Sequence, residues 1–289
     1  MTTVHGAEGI TAAGVRCASP AVAPGRGTLT FSRVGQRTVV RHAFSTSPLK
    51  LLNPQNHSSA AWVYLASYGG GLVDGDAVRI DIEVERGAAA VISTQASTKV
   101  YRSPHGASQQ LRADVADDAL LVLAPDPVVC FARSSYAQDV EIRLAPHGAL
   151  VLVDWLGAGR VASGERWQHD RFSSVTQIWR GPHRLLYDSL RLTPEDGDVA
   201  ERMGRFNTLV TVVLAGSLLA ADASRILQEV AAMPLERQAD LLISASPLKE
   251  SALLPRIAAV STERAGQTLR RMLAFLPPRL GDDPWSRKW

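Results

Sequence analysis

Cysteine is almost absent. Cys17 and Cys130 are the only two in 289 residues, far apart and in unlike surroundings. That leaves no disulfide framework and fits a reducing cytoplasm. Aromatic residues reach only 6%. Basic residues are scattered and the net charge is only +3, which lacks the clustered excess of a nucleic-acid-binding surface. Long apolar runs are missing as well. The longest, 209–221, is broken by Thr, Gly and Ser and falls short of the ~20 residues of a membrane-spanning helix. The sequence therefore reads as that of a soluble protein. Residues 1–27 are rich in Ala, Gly, Pro and Thr and have neither a basic n-region nor a continuous apolar stretch. They read as a flexible leader rather than a signal peptide.

The chemistry that is missing narrows the function. The seven histidines are dispersed and the cysteines form no C-x-x-C, so no stored zinc or nickel site is expected. No G-x-S-x-G elbow occurs. The glycine run Gly69-Gly70-Gly71 is followed by Asp74 and Asp76 rather than by Lys-Ser/Thr, and it leads into a strand, which argues against a phosphate loop. Asp74-Gly75-Asp76 does not continue into a calcium-binding ligand series; it reads as a turn.

What is present is a dense succession of short strands. Residues 78–84 alternate strictly, with Val78, Ile80, Ile82 and Val84 on one face and Arg79, Asp81 and Glu83 on the other, the mark of a half-buried strand. Similar segments are expected at 28–33, 38–44, 61–67, 88–94, 108–115, 119–124, 139–144, 149–155, 170–179, 184–192 and 206–215, and later at 241–244 and 253–260, the last weakened by Pro255. Residues 47–54 read as a loop. Helices are expected only late: one capped by Asp222 and running to about Met233, and one capped by Ser261 or Thr262 and stopped by Pro277-Pro278. No repeat of fixed length is found. Short strands with turn signals at this density describe a mainly β, layered or coiled architecture with about two α-helices in the C-terminal part.

The run from Gln95 to Arg102 is unusually polar for a segment that follows a buried strand, so it supplies the first functional candidates. Lys99 and Arg102 flank Tyr101 as either a binding patch or the solvated face of a strand. Asp154 at a strand end and Glu165 in the 157–167 loop suggest one enzymatic alternative: a β-rich carbohydrate-active enzyme working through paired carboxylates.

The glycine turn GGGLVDGD and the segment TQASTKVYRS closely resemble the signature of the urease accessory protein UreD (UreH) family. The likeness continues through Pro125-Asp126-Pro127 to Tyr136-Ala137-Gln138, Gly159-Arg160 to Gly164-Glu165-Arg166-Trp167, Arg205-Phe206-Asn207, and the tail from Pro284-Trp285 to Trp289. The resemblance implies a fold that is a flattened, β-helix-like stack of short strands in a single domain over 28–289, and a non-catalytic, cytoplasmic maturation factor. Such a factor binds apo-urease and UreF, which recruits the GTPase UreG, and nickel is delivered through a water-filled passage. No cofactor is expected to be held tightly; Ni2+ is in transit. Carried over by motif position, the passage candidates are Asp76, Thr94, Asp154 and Glu165. Gly69, Gly70, Gly71, Gln95, Lys99, Tyr101 and Arg102 are interface or motif residues, and Trp285 and Trp289 belong to a tail that helps dock UreF. A conduit must attract a divalent cation and still release it, and oxygen donors hold nickel more loosely than clustered His and Cys.

Overall fold

The computed structural model describes residues 24–55, 58–234 and 236–285. Four strands lead in: β1 (Gly25–Val34), β2 (Arg37–Ser45), β3 (Leu49–Leu52) and β4 (Ala61–Ser67). Three coils follow. The first holds β5 (Ala77–Val84), β6 (Ala89–Thr94) and β7 (Thr98–Val100); the second holds β8 (Ala107–Val115), β9 (Leu120–Leu123) and β10 (Val128–Cys130). The third holds β11 (Ser135–Leu144) and β12 (Ala149–Gly157), and β13 (Arg171–Arg180) turns back through a hairpin into β14 (His183–Leu192). The rest runs α1 (Val199–Met203), β15 (Thr208–Ala215), α2 (Ala220–Ala231), β16 (Leu241–Leu248), β17 (Ala252–Ala259), α3 (Thr262–Met272) and α4 (Leu276–Leu280).

Each coil crosses between two sheets. The first sheet has the order β14-β13-β11-β8-β5-β1-β2, and the second runs β16-β17-β15-β12-β9-β6-β4-β3, with β7 and β10 attached beside β12. Within the coils the neighbours in both sheets are parallel. Val84, Val115 and Leu144 stand in register. Each is followed by a tight corner, closed by Ala88, Ala119 and Gly148 donating to the carbonyls of Glu85, Ala116 and Ala145. On the opposite edge the connections differ in length, which is why a stacked coil left no fixed repeat in the sequence.

The burial pattern explains the layering. In β5 the inward Val78, Ile80, Ile82 and Val84 are buried while Arg79, Asp81 and Glu83 face water, as period two requires. Strands β9 and β12 are buried on both faces, because they lie between two cores. One core fills the space between the sheets around Phe31, Ile80, Leu121, Ile142 and Leu150. The other joins the second sheet to the helices through Trp62, Val151, Val212, Ile226, Leu269 and Leu276. Strands covered on both sides read as near-continuous apolar runs.

Several local expectations change. β1 starts at Gly25, inside the expected leader; residues 1–23 of that leader lie outside the described residues. The expected loop at 47–54 contains β3, too short for its pattern to show in sequence and paired with β4. Asp222 is not the cap of its helix: α2 begins at Ala220 behind Leu219, and Asp222 sits in the first turn, bonded to Arg279 at 2.7 Å. Pro277 and Pro278 open α4 rather than ending a helix, a place where the missing N–H costs nothing. α1 is an addition, capped by Asp198 accepting from the Glu201 N–H. Ser261 caps α3 as expected. Pro255 lies in β17, between β15 and β16, and the β15–β17 ladder skips the positions facing Leu254 and Pro255.

Candidate functional site

The glycine run forms a turn that leans on β7. Gly69 and Gly70 adopt φ of 84° and 73°, a region that disfavours a side chain. Gly71 is constrained by space instead: a Cβ there would come within 2.6 Å of the Lys99 carbonyl and of the Tyr101 ring. This close approach lets the Leu72 N–H donate to the Lys99 carbonyl at 2.8 Å, while the Tyr101 N–H donates to Leu72 at 2.9 Å. The two aspartates finish the turn. Asp76 accepts from the Val73 N–H at 2.8 Å. Asp74 accepts from the His105 backbone N–H and contacts its Nδ1, both at 2.7 Å, and the His105 side-chain bond holds the Asp74 carboxyl below its ordinary range.

Beside the turn lies a second surface assembly. Tyr101 packs edge-on against Phe131, with ring centres 5.2 Å apart. Arg160 lies over the same Phe131 ring at 4.5 Å and makes an ion pair with Glu165. Glu165 also accepts from the Ala132 N–H at 3.2 Å; the Arg160 bond, aided by this one, lowers its pKa. Lys99, Arg102 and Gln95 are exposed, and Tyr68 and Val73 add exposed apolar surface on either side of the glycines.

A further group of polar side chains lies between the sheets. Thr94 is buried and exchanges two hydrogen bonds with Asp126, donating to its carboxylate at 3.1 Å and accepting from its N–H at 2.7 Å. Asp154 points from β12 into the same layer. Its carboxylate accepts from Gln138 Nε2 at 2.9 and 2.8 Å and from Ser174 Oγ at 3.1 Å. Burial raises the Asp154 pKa, partly offset by those two donors. The Tyr136 hydroxyl is buried without a hydrogen-bond partner. Thr94, Asp126, Tyr136, Gln138 and Asp154 all line one small cavity of about 40 Å³. A second cavity of about 90 Å³ runs from Gly70 and Leu72 at the glycine turn past Gln95. The two share Leu65, Thr94, Thr98 and Gln109 as a common wall. Each is roomy enough for water, which needs on the order of 10–15 Å³ of such space.

Of the expected site residues, the fold brings Thr94 and Asp154 to one cavity. Asp76 and Glu165 line neither cavity; each is engaged at the surface as described. Asp154 and Glu165 share no partner and hang on separate networks. Trp285 packs against the helix-side core, and Trp289 lies outside the described residues. Cys130 is buried, and burial pushes its thiol up to about 12, so it is neither a ready ligand nor a nucleophile. Among the described residues no group of three or more His, Cys, Asp or Glu is placed to hold a metal, and no helix is long and apolar enough to cross a membrane.

Gln138, Ser174, Asp126 and Gln109 were missed from sequence. One signal was available: Gln138 occupies an inward position between Tyr136 and Val140, and Asp154 does the same between Leu152 and Leu156. A polar residue in the apolar phase of a buried strand is the anomaly to seek.

Comparison with known proteins shows the family of the chain. A family model described as UreD urease accessory protein matches residues 23–289. The urease accessory protein UreD of Sorangium cellulosum is 52% identical over 265 residues, covering 92% of this chain and 84% of its own. That of an Anaeromyxobacter species is 40% identical over 91% of this chain and 89% of its own. The urease accessory protein D of Arabidopsis thaliana is 32% identical over 90% of this chain and 99% of its own. With the match running from the first strand through the glycine turn to the last helix, this chain belongs to the UreD family of urease accessory proteins.

Proposed function

We propose that this chain is a non-catalytic urease maturation factor. It binds apo-urease, works with UreF and through it with UreG, and supports nickel insertion by letting Ni2+ pass between its two sheets. The observation that carries the reading is the polar row Thr94, Asp126, Gln138 and Asp154, set around small cavities in an otherwise apolar core. Burying a carboxylate in such a layer is costly, and Asp154 is solvated only by an amide and a hydroxyl. Every donor in the row is oxygen or amide. Such groups replace part of a hydrated cation's shell without trapping it, as clustered His and Cys would. In this reading Thr94 and Asp154 line the route, while Asp76 and Glu165 act on the ion's approach at the surface. Lys99, Tyr101 and Arg102, with exposed Tyr68 and Val73, form a docking face at the glycine-turn end, and the tail carrying Trp285 and Trp289 contributes to docking UreF. The paired-carboxylate alternative has no geometric support, since Asp154 and Glu165 point into different networks.

The test is co-expression of the urease subunits with UreF and UreG, with and without this chain. Urease purified from the complete set is expected to carry nickel and activity, and urease from the reduced set to be nickel-poor. Equal loading in both would contradict the proposal.

A further inference from the structure

The inter-sheet polar row does not stop at Asp154. Directly opposite residues on neighbouring strands share a face. Asp154 is opposite Thr211 on β15, and Thr211 is opposite Arg256 on β17. On the facing sheet, Thr176 of β13 is opposite Asp188 of β14. The two rows converge, because Arg256 donates to Asp188 at 2.7 Å and so joins the second sheet to the first. That ion pair stands in a cleft of about 560 Å³ where the sheets part company, lined also by Thr211, Leu209 and Leu242. Two strand spacings separate Asp154 from Arg256, about 10 Å. Burial is the main cause of the raised Asp154 pKa, and the Asp188 charge adds to it in a smaller way.

We infer that the cleft between β14 and β15–β17 is a second mouth of the passage and that the Asp188–Arg256 pair sets its charge. This rests on the proposed nickel route and adds its second opening. A lone guanidinium at the mouth repels a divalent cation; Asp188 cancels that charge and presents a carboxylate to the ion. Both side chains are partly exposed, with the Asp188 side chain 25% and that of Arg256 47% accessible, so the pair can exchange its partner for a cation without a buried charge being stranded.

Charge logic separates this role from mere bracing of the two sheets. Asp188→Asn leaves Arg256 uncompensated and is expected to slow nickel loading on the order of tenfold at low ionic strength, with the deficit shrinking as salt is added. Adding Arg256→Gln to Asp188→Asn removes the stray charge and is expected to recover most of the loading, falling short only by the lost carboxylate. A bracing role predicts the opposite, since the double variant would still lack the bridge. The assay is Ni2+ incorporation into apo-urease in purified mixtures with UreF, UreG and GTP, with co-purification confirming that every variant assembles. Thr98→Trp, placed in the wall shared by the two cavities, is run in parallel. If Thr98→Trp blocks loading but Asp188→Asn loads normally, or the double variant fails to recover, the second mouth is wrong and the passage stands. If Thr98→Trp loads normally in an assembled complex, the passage reading itself falls, and this inference falls with it.

Discussion

The Gln138 amide of the first sheet donates to both carboxylate oxygens of Asp154 on the second, at 2.9 and 2.8 Å. The amide also reaches Ser174 Oγ at 2.9 Å, so one side chain ties three strands in two layers. Gln138→Leu would leave the Asp154 carboxylate in the inter-sheet layer with only the Ser174 hydroxyl. The expected cost is about 1–3 kcal/mol, read as a lower urea midpoint with an unchanged slope. Gln138→Leu combined with Asp154→Leu should recover part of that loss, because neither partner is then stranded.

The glycine turn gives a contrast between two adjacent positions. Gly69→Ala has open space but a positive φ, and should cost about 1–2 kcal/mol. Gly71→Ala drives a methyl group against the Lys99 carbonyl and the Tyr101 ring. It should therefore shift β7 as well as lower stability. Hydrogen exchange separates them: faster exchange at the Leu72 and Tyr101 amides is expected for Gly71→Ala alone.

His169 sets a pH limit. It is buried between Trp167 and Phe172, and burial lowers its pKa below the ordinary 6.5; the nearby Leu192 backbone offsets this only in part, without a hydrogen bond of good geometry. The folded state thus holds the ring neutral, while the unfolded chain takes up a proton near 6.5. Stability supplied by the neutral ring is complete above that value and is lost as pH falls below it. His169→Phe should flatten the stability profile on the acid side of pH 6.5 in thermal melts. An unchanged profile would show that His169 is not the group responsible.

Glu165 holds the 157–167 loop through Arg160 and the Ala132 N–H. Glu165→Gln should raise protease sensitivity within that loop while leaving the global unfolding midpoint nearly unchanged, because the ion pair lies at the surface.

Much of the strand order was legible because period two is local: Val78 to Val84 announce their two faces without reference to any other segment. A stacked coil was expected too, but its register was not legible, since Val84, Val115 and Leu144 come into line only once the unequal loops on the far edge are folded away. The site divides in the same manner. Asp154 was expected at a strand end, but β12 continues to Gly157 and holds it in its interior; its partners Gln138 and Ser174 lie on other strands of the opposite sheet, and no local pattern links them. Gly69 to Gly71 read correctly as a turn; that Gly71 is required by the nearness of Lys99 is a tertiary fact. Pro277 and Pro278 misled because proline stops a helix from within but also starts one, and the sequence does not say which residue is first.

The measurement that bears most directly on the central claim is the nickel content of urease matured with a Thr94→Val variant of this chain. The substitution keeps the shape of a buried residue, removes the hydroxyl that meets Asp126, and lies in the wall shared by both cavities. The account predicts a variant that still co-purifies with urease and UreF, delivers several-fold less nickel, and improves as Ni2+ is raised. Full loading at limiting Ni2+ by an assembled Thr94→Val complex would contradict a route between the sheets.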